Sequence, residues 1–218
     1  MQYVDSKLFE ISGKFERRWA AATLGGYTSF EPIARNLSAV IDVIWVSGTP
    51  ALQIPLLLTI ALSVPQYFSA LPFAPRALFP LLRKLDLAFA SLVRETNVET
   101  GERLPGFDMG ASRNFFTVTQ KVRLRGLVEE TRLAVTKLAA KERVNGGEME
   151  EIEDDEDGMV TEAETEDENV LSETESHFGV SDADEDVRGF GDWDVEISRV
   201  YEKTLVDLQT GLDEAPGH

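Results

Sequence analysis

The sequence predicts an all-α protein, in which a bundle of about five helices is followed by a disordered acidic arm and a short C-terminal helix. Apolar residues recur at three- and four-residue spacing through most of residues 1–143, and no alternating pattern of useful length indicates a β-strand. Nineteen Asp or Glu residues, and no Lys or Arg, lie between Glu148 and Val187. The chain has 39 acidic and 21 basic residues, so removal of this tract leaves 20 acids against 21 bases. The net charge of −18 therefore belongs to one segment of the chain.

Three helices are predicted before the connection that Pro65 and Pro75 delimit. The first ends at Gly25-Gly26 and has one apolar stripe: Val4, Leu8, Ile11, Phe15 and Trp19. The second begins with Ser29 as its N-cap and has its own stripe: Ile33, Leu37, Val40, Ile41 and Ile44. The third begins after Thr49, whose hydroxyl is predicted to cap it, and Pro55 predicts a kink or an irregular turn. This third helix is apolar on every face, as expected of the central helix of a bundle.

Three further helices follow. Pro75 opens the fourth, whose predicted buried stripe is Leu78, Leu81, Leu82, Leu85, Phe89 and Leu92. Gly and Pro turn signals predict a long loop over 97–114, and Thr117 with Gln120 forms a capping box for a fifth helix that runs to about Glu142. The stripe of this fifth helix is Leu124, Leu127, Val128, Val135 and Leu138. Apolar residues at helical spacing predict a short sixth helix: Trp193, Ile197, Tyr201, Leu205 and Leu208.

We therefore divide the chain into a helical bundle domain (1–143), a disordered acidic linker (144–190) and a C-terminal amphipathic helix (191–212). The linker is expected to be disordered because it has too few apolar residues to offset the entropy lost on ordering. The C-terminal helix either docks on the bundle or binds another protein, and its candidate partner-binding residues are Trp193, Ile197 and Tyr201.

Composition argues against most enzyme classes. Cysteine is absent, and the two histidines, His177 and His218, lie in the acidic tract and at the C-terminus, so neither a zinc site nor a His-based general base is expected. The phosphate-binding loop, the nucleophile elbow and the metalloprotease motif do not occur. We predict a protein with no enzymatic activity, no cofactor and no metal, located in the nucleus or cytoplasm.

Two carboxylates within apolar helices, Asp42 and Asp86, are candidate acid or base groups, because burial there would raise their pKa. The commoner alternative for such a residue is to face solvent or to pair with a neighbouring Arg or Lys.

Residues 43–75 carry no charge, which raises the alternative of a membrane-associated protein that buries this stretch in lipid. A transmembrane helix needs about 20 predominantly apolar residues, but prolines divide this run and its flanks have no basic cluster to set an orientation. We therefore favour a buried central helix.

Basic residues concentrate on the fifth helix, and Arg123, Arg125 and Arg132 are candidate contacts to a partner. Acidic residues interrupt them and no aromatic residues are interleaved for base stacking, so direct nucleic-acid binding is not expected. An alternative is that the acidic arm folds back over this helix and competes for its partners. Four hydroxyl residues of the arm have an acid three positions later and are candidate sites for an acid-directed kinase: Thr161, Thr165, Ser172 and Ser181.

Three stretches carry a family resemblance: SGTPALQIPLLLTIALSVPQYF, LLRKLDLAFASLVRETNVETGERLPGF and KVRLRGLVEETR. Over Ser29 to Lys141 the chain resembles a helical family of filamentous fungi, some members of which carry a meiotic-recombination label. The resemblance implies a nuclear, chromosome-associated setting and supplies no site residues. It does not imply recombinase activity, because the phosphate-binding loop is missing.

These observations favour a non-enzymatic interaction subunit or scaffold. Its acidic arm is predicted to engage or screen a basic protein partner, since a polyanionic segment competes with nucleic acid for such proteins.

Overall fold

The computed structural model describes residues 2–19, 25–107, 115–150 and 193–213. The helices in these ranges are α1 (Gln2–Glu16), α2 (Glu31–Val46), α3 (Pro50–Ser69), α4 (Pro75–Arg94), α5 (Val118–Glu150), α6 (Asp194–Ser198) and α7 (Glu202–Asp213). A single 3₁₀ turn, Arg17–Trp19, follows α1. Within the described ranges, the β-structure consists of one isolated bridge between Thr96 and Arg103. The predicted all-α class is confirmed.

Helices α2, α3 and α4 pack on one another and form the centre of the bundle, so the predicted central helix α3 is one of three. Helix α7 packs on α4, α5 on α3 and α1 on α2. Each predicted stripe residue of α2 and α4 is buried, as are Leu57 and Leu58 of α3. In α5 the first four stripe residues are buried, and Leu138 is half-buried. The exception is Trp19, which is 80% exposed because α1 has ended before it and the 3₁₀ turn directs it away from the core.

Helix ends agree with the sequence prediction at α5 and differ at α2 and α3. The Thr117 hydroxyl accepts from the Gln120 amide at 3.3 Å, and the Gln120 side chain accepts from the Thr117 amide at 3.0 Å, so the capping box is confirmed. The Thr49 hydroxyl instead donates to the carbonyl of Ser47, and α2 has Phe30 rather than Ser29 at its N-cap.

The connection from α4 to α5 is built on glycines and an Asn turn. Helix α4 ends at Arg94, its C-cap residue Glu95 has a φ of 61°, and the side chain of Asn97 then accepts from the Glu99 amide at 2.9 Å. Gly106, with φ at 85°, lies so close to the start of α3 that a Cβ there would be 2.6 Å from Cδ of Pro50 and 2.9 Å from the carbonyl oxygen of Gly48. The loop therefore fixes the position of the α3 N-terminus.

Two predicted boundaries differ in the C-terminal half. Helix α5 continues to Glu150, so residues 144–150 of the predicted linker are helical. The predicted single helix over 191–212 is two helices, because the chain turns at Tyr201, where φ is 54°. The rest of the predicted disordered linker, 151–190, lies outside the described residues.

By length and composition alone, helix α3 is long and apolar enough to cross a membrane: an 18-residue window of it has a mean hydropathy of 1.4, and 56% of that window is buried. The same test is met by core helices of soluble proteins, so it is weak evidence for a span. The exposed residues of α3 form one face: Ala51, Pro55, Thr59, Leu62, Gln66 and Ser69. Leu62 is the one large aliphatic side chain on this face, which suits water better than lipid.

Candidate partner-binding site

The three predicted partner-binding residues of the C-terminal segment, 193–213, lie against the bundle. The ring of Trp193 stacks on Phe79 of α4, with centroids 5.4 Å apart and planes at 20°. Tyr201 is 1% exposed and packs against Phe89, while Ile197 is partly buried on the core. The C-terminal segment therefore docks within its own chain, and a partner contact through Tyr201 would require it to leave the core.

Asp86 of α4 holds the start of α7. Its carboxylate accepts from the Thr204 amide at 2.8 Å, from the Thr204 hydroxyl at 2.7 Å and from the Lys203 amide at 3.3 Å. The first amides of a helix have no partner within the helix, so a carboxylate from another helix here acts as a cap. Burial raises the pKa of Asp86, and these hydrogen bonds oppose that effect without reversing it. Asp86 is therefore a structural group, not one that faces solvent or pairs with a neighbouring cation.

Three arginines of α4 and α5 also bind the C-terminal segment. Arg94 of α4 binds Asp207 at 2.6 Å, and Arg132 of α5 donates to the carbonyl oxygen of Val200 at 2.8 Å. Arg143, near the end of α5, forms an ion pair with Asp194. The predicted partner residue Arg132 thus has an internal role.

The other predicted partner residues of α5 face solvent. Arg125 pairs with Glu129 at 2.9 Å, as an i,i+4 pair on the helix surface, and Arg123 is exposed. Neither is brought together with the C-terminal segment, so their binding role stays a prediction. The four predicted phosphorylation sites lie outside the described residues.

Some buried polar atoms of the C-terminal segment have no hydrogen-bond partner in the described part of the chain. They are the hydroxyl of Tyr201, one oxygen of Asp207 and one oxygen of Glu196. Burial and the nearby Asp86 carboxylate raise the pKa of Tyr201, so this hydroxyl stays protonated. A buried polar group without a partner costs about 1–3 kcal/mol, which weakens the docking that the apolar contacts favour.

Residues of α4 and of the C-terminal segment together line a groove of about 790 Å³. The stacked rings of Phe79 and Trp193 line it. Its remaining lining includes four basic side chains: Arg76, Arg83, Arg199 and Lys203. Glu196 and Glu202 also lie on it. With Asp86, the lining holds four basic side chains against three acidic ones, and basic side chains stand on both sides of the stacked rings.

A smaller cavity of about 230 Å³ lies beside Asp42. The Nζ atom of Lys84 is 2.7 Å from the Asp42 carboxylate, and it also donates to the hydroxyl of Ser38 at 2.7 Å. Asp42 is therefore an exposed carboxylate in an ion pair, which is the commoner alternative that the sequence left open. No group of three or more His, Asp or Glu residues that could hold a metal occurs in the described ranges.

Sequence reasoning missed the anchoring roles of Asp86, Arg94 and Arg132. Their partners lie more than 65 residues away along the chain, so no local pattern could reveal them. The sequence did show that Asp86 is a charged residue in a helix that is otherwise mostly apolar on that side. That signal singled out Asp86 as unusual without giving its role.

Comparison with known families gives one match. Residues 26–209 match the model of the family described as TFB6, subunit 11 of the general transcription factor TFIIH. The match begins before α2 and includes the acidic tract and most of α7. No curated protein and no solved structure matches the chain.

Proposed function

Because the chain belongs to the TFB6 family, subunit 11 of the general transcription factor TFIIH, we propose that it is a non-enzymatic nuclear subunit of that assembly. The observation that carries this proposal is the extent of the match, which takes in α2 to α5, the acidic tract and most of the C-terminal segment together. The two candidate acid or base groups support a non-enzymatic role, since Asp86 caps a helix and Asp42 is paired with Lys84.

The acidic tract is proposed to engage or screen a basic protein partner. All of the net charge of the chain lies there, and the remainder is nearly neutral, so attraction to a basic surface would act mainly through this segment. Phosphorylation at the predicted sites would strengthen it, since each phosphate adds about −1.5 to −2 charges.

The outer face of α5 is proposed as a second contact to the assembly. Large apolar side chains on this helix are exposed although they recur on one face: Val118, Val122, Leu133 and Val144. Only Val118 and Val122 are one turn apart, while Leu133 and Val144 follow on the same side of the helix at intervals of three turns. Large apolar side chains that are left exposed on one side of a helix suit contact with another protein. Arg125 lies on the same side, between Val122 and Leu133, and is a predicted partner residue.

The proposal is tested by affinity purification of the tagged full chain from its own cells, with the TFIIH subunits identified by mass spectrometry. We expect them to co-purify with the wild-type chain and to be lost from the variant Val122→Asp/Leu133→Asp. The matched control is Tyr3→Asp/Phe9→Asp, which alters exposed residues of α1, outside the family match. Absence of TFIIH subunits from the wild-type sample would refute the proposed function.

A further inference from the structure

The groove between α4 and the C-terminal segment has unpaired positive charge on both sides. Arg83 comes from α4, while Arg199 and Lys203 come from the opposite wall. These three side chains are exposed, and none forms an ion pair within the described ranges. The Asp86 carboxylate beneath them is buried and fully engaged with Thr204 and Lys203 amides. Glu196 and Glu202 also line the groove, but Arg83, Arg199 and Lys203 form no ion pair with them and can still pair with added carboxylates.

The acidic tract is joined directly to this groove. Trp193, which lines the groove, follows the tract along the chain, and Asp186 is only seven residues before it. Seven residues span at most about 25 Å even when fully extended. The tract thus presents carboxylates to the groove at an effective concentration that no separate molecule would reach at ordinary cellular levels.

We propose that the acidic segment 151–187 occupies this groove in the free protein. Arg83, Arg199 and Lys203 then pair with its carboxylates, and the segment and the groove mask each other. This inference rests on the proposed function, because a basic partner that binds the acidic segment would expose the groove.

The sequence left a fold-back of the same segment over α5 as an alternative, and four basic residues of that helix have no ion pair in the described ranges: Lys121, Arg123, Lys137 and Lys141. The other three already have partners: Arg125 pairs with Glu129, Arg132 donates to the Val200 carbonyl and Arg143 pairs with Asp194. Arginines with such partners gain less from a new carboxylate than arginines that have none.

Carbodiimide cross-linking of the purified full chain tests the proposal without any other protein, so its failure is distinct from failure of the proposed function. The reagent joins an amine to a carboxylate only where the two touch. At low salt, Lys203 should cross-link to acids of 151–187 at least about fivefold more than Lys121, a partly exposed lysine near the start of α5 that serves as the control. The yield should fall towards that of the control at 1 M salt, where the Debye length is about 3 Å. Mixing ¹⁵N-labelled and unlabelled chains separates cross-links within a chain from those between copies.

Charge reversal provides the matched comparison. Arg83→Glu/Arg199→Glu should lower the Lys203 cross-links at least about fivefold, whereas Arg35→Glu/Arg123→Glu, with the same change of net charge at exposed positions, should leave them within about twofold. Both variants must melt like the wild type. Equal yields at Lys203 and Lys121, or equal losses in the two variants, would overturn the proposal, as would cross-links formed only between copies.

Discussion

At the scale of single residues, Asp86 does most to join the two ends of the chain. Thr204, its main partner, is 118 residues away and 0% exposed, and its hydroxyl also donates to the backbone carbonyl of Asp86 at 3.1 Å. One carboxylate thereby satisfies two amides that open α7 and fixes where that helix begins.

Replacement Asp86→Ala should lower the free energy of unfolding by about 1–3 kcal/mol, because the amide and hydroxyl of the fully buried Thr204 lose their acceptor. The difference from wild type should depend on pH. The folded-state pKa of Asp86 is raised above the ordinary 3.8, so the native state binds this proton more tightly than the unfolded state does. The contribution of the wild-type residue is therefore largest below pH 3.8 and declines as pH rises through the folded-state pKa.

Urea unfolding from about pH 4 to about pH 8 measures this difference. Asp42→Asn is the control, because Asp42 is 62% exposed and makes only a surface ion pair with Lys84, which is worth little. An Asp86→Ala protein as stable as the control variant would show that α7 does not need this cap.

Tyr201→Phe should leave stability unchanged or raise it by up to about 1 kcal/mol, because it removes a buried hydroxyl that has no partner in the described ranges. The control is Tyr67→Phe: burial raises the pKa of the Tyr67 hydroxyl, while Ser63 and Ser12 lower it by interacting with the charged form, so loss of this hydroxyl should cost about 1 kcal/mol. Thermal melting of the two variants gives the comparison. A larger loss at Tyr201 than at Tyr67 would mean that the Tyr201 hydroxyl is satisfied.

At the scale of helices and loops, Gly106 joins the loop to the start of α3. Gly106→Ala should destabilise the protein by about 2–4 kcal/mol, because its φ is positive and the added carbon would meet Pro50 and the Gly48 carbonyl. Gly101→Ala is the matched control, since Gly101 also has a positive φ but has nothing within 4 Å of the added carbon. It should cost only about 1–2 kcal/mol. Equal chemical denaturation midpoints for the two variants would show that the loop can shift to accommodate a Cβ at Gly106.

The helices themselves were largely predictable, and their interruptions were not. The stripes of α2 and α4 are buried because an amphipathic helix has one way to place its apolar face in a core. The turn at Tyr201 has no Gly or Pro to signal it, since the large ring is held by burial against Phe89 while the backbone takes a left-handed conformation. Gly146-Gly147 in turn favour an end to α5 that the structure does not show.

At the scale of the whole molecule, the candidate site was only partly predictable. The sequence identified Trp193, Ile197 and Tyr201 as one unit but left open whether they bind the bundle or a partner. The choice depends on the surface that α4 offers, including Phe79 and Asp86, which becomes defined only once the bundle has formed. The fungal meiotic resemblance remains a prediction that the family match does not test.

Because the C-terminal segment is part of the core, only some truncations can test partner binding without also destabilising the fold. A chain that ends at Asp192 loses Val200, Tyr201 and Leu208, each at most 3% exposed, so it strips the core as well as a partner contact. Deleting 148–187 is cleaner. After this deletion nine residues remain between Arg143 and Trp193. They are long enough to connect α5 to the C-terminal segment, because Arg143 already lies in contact with Asp194.

Deletion of 148–187 should therefore preserve the helical circular dichroism and the melting transition, yet weaken binding to TFIIH strongly at low ionic strength. The loss should shrink towards 1 M salt, where the Debye length falls to about 3 Å, because the tract acts through charge and the α5 face through apolar contact. A neutral Gly/Ser segment of the same length in place of 148–187 separates charge from tether length and should bind like the deletion. Affinity and salt dependence that both match wild type would mean that the tract serves solubility alone, and binding would then depend on the helices.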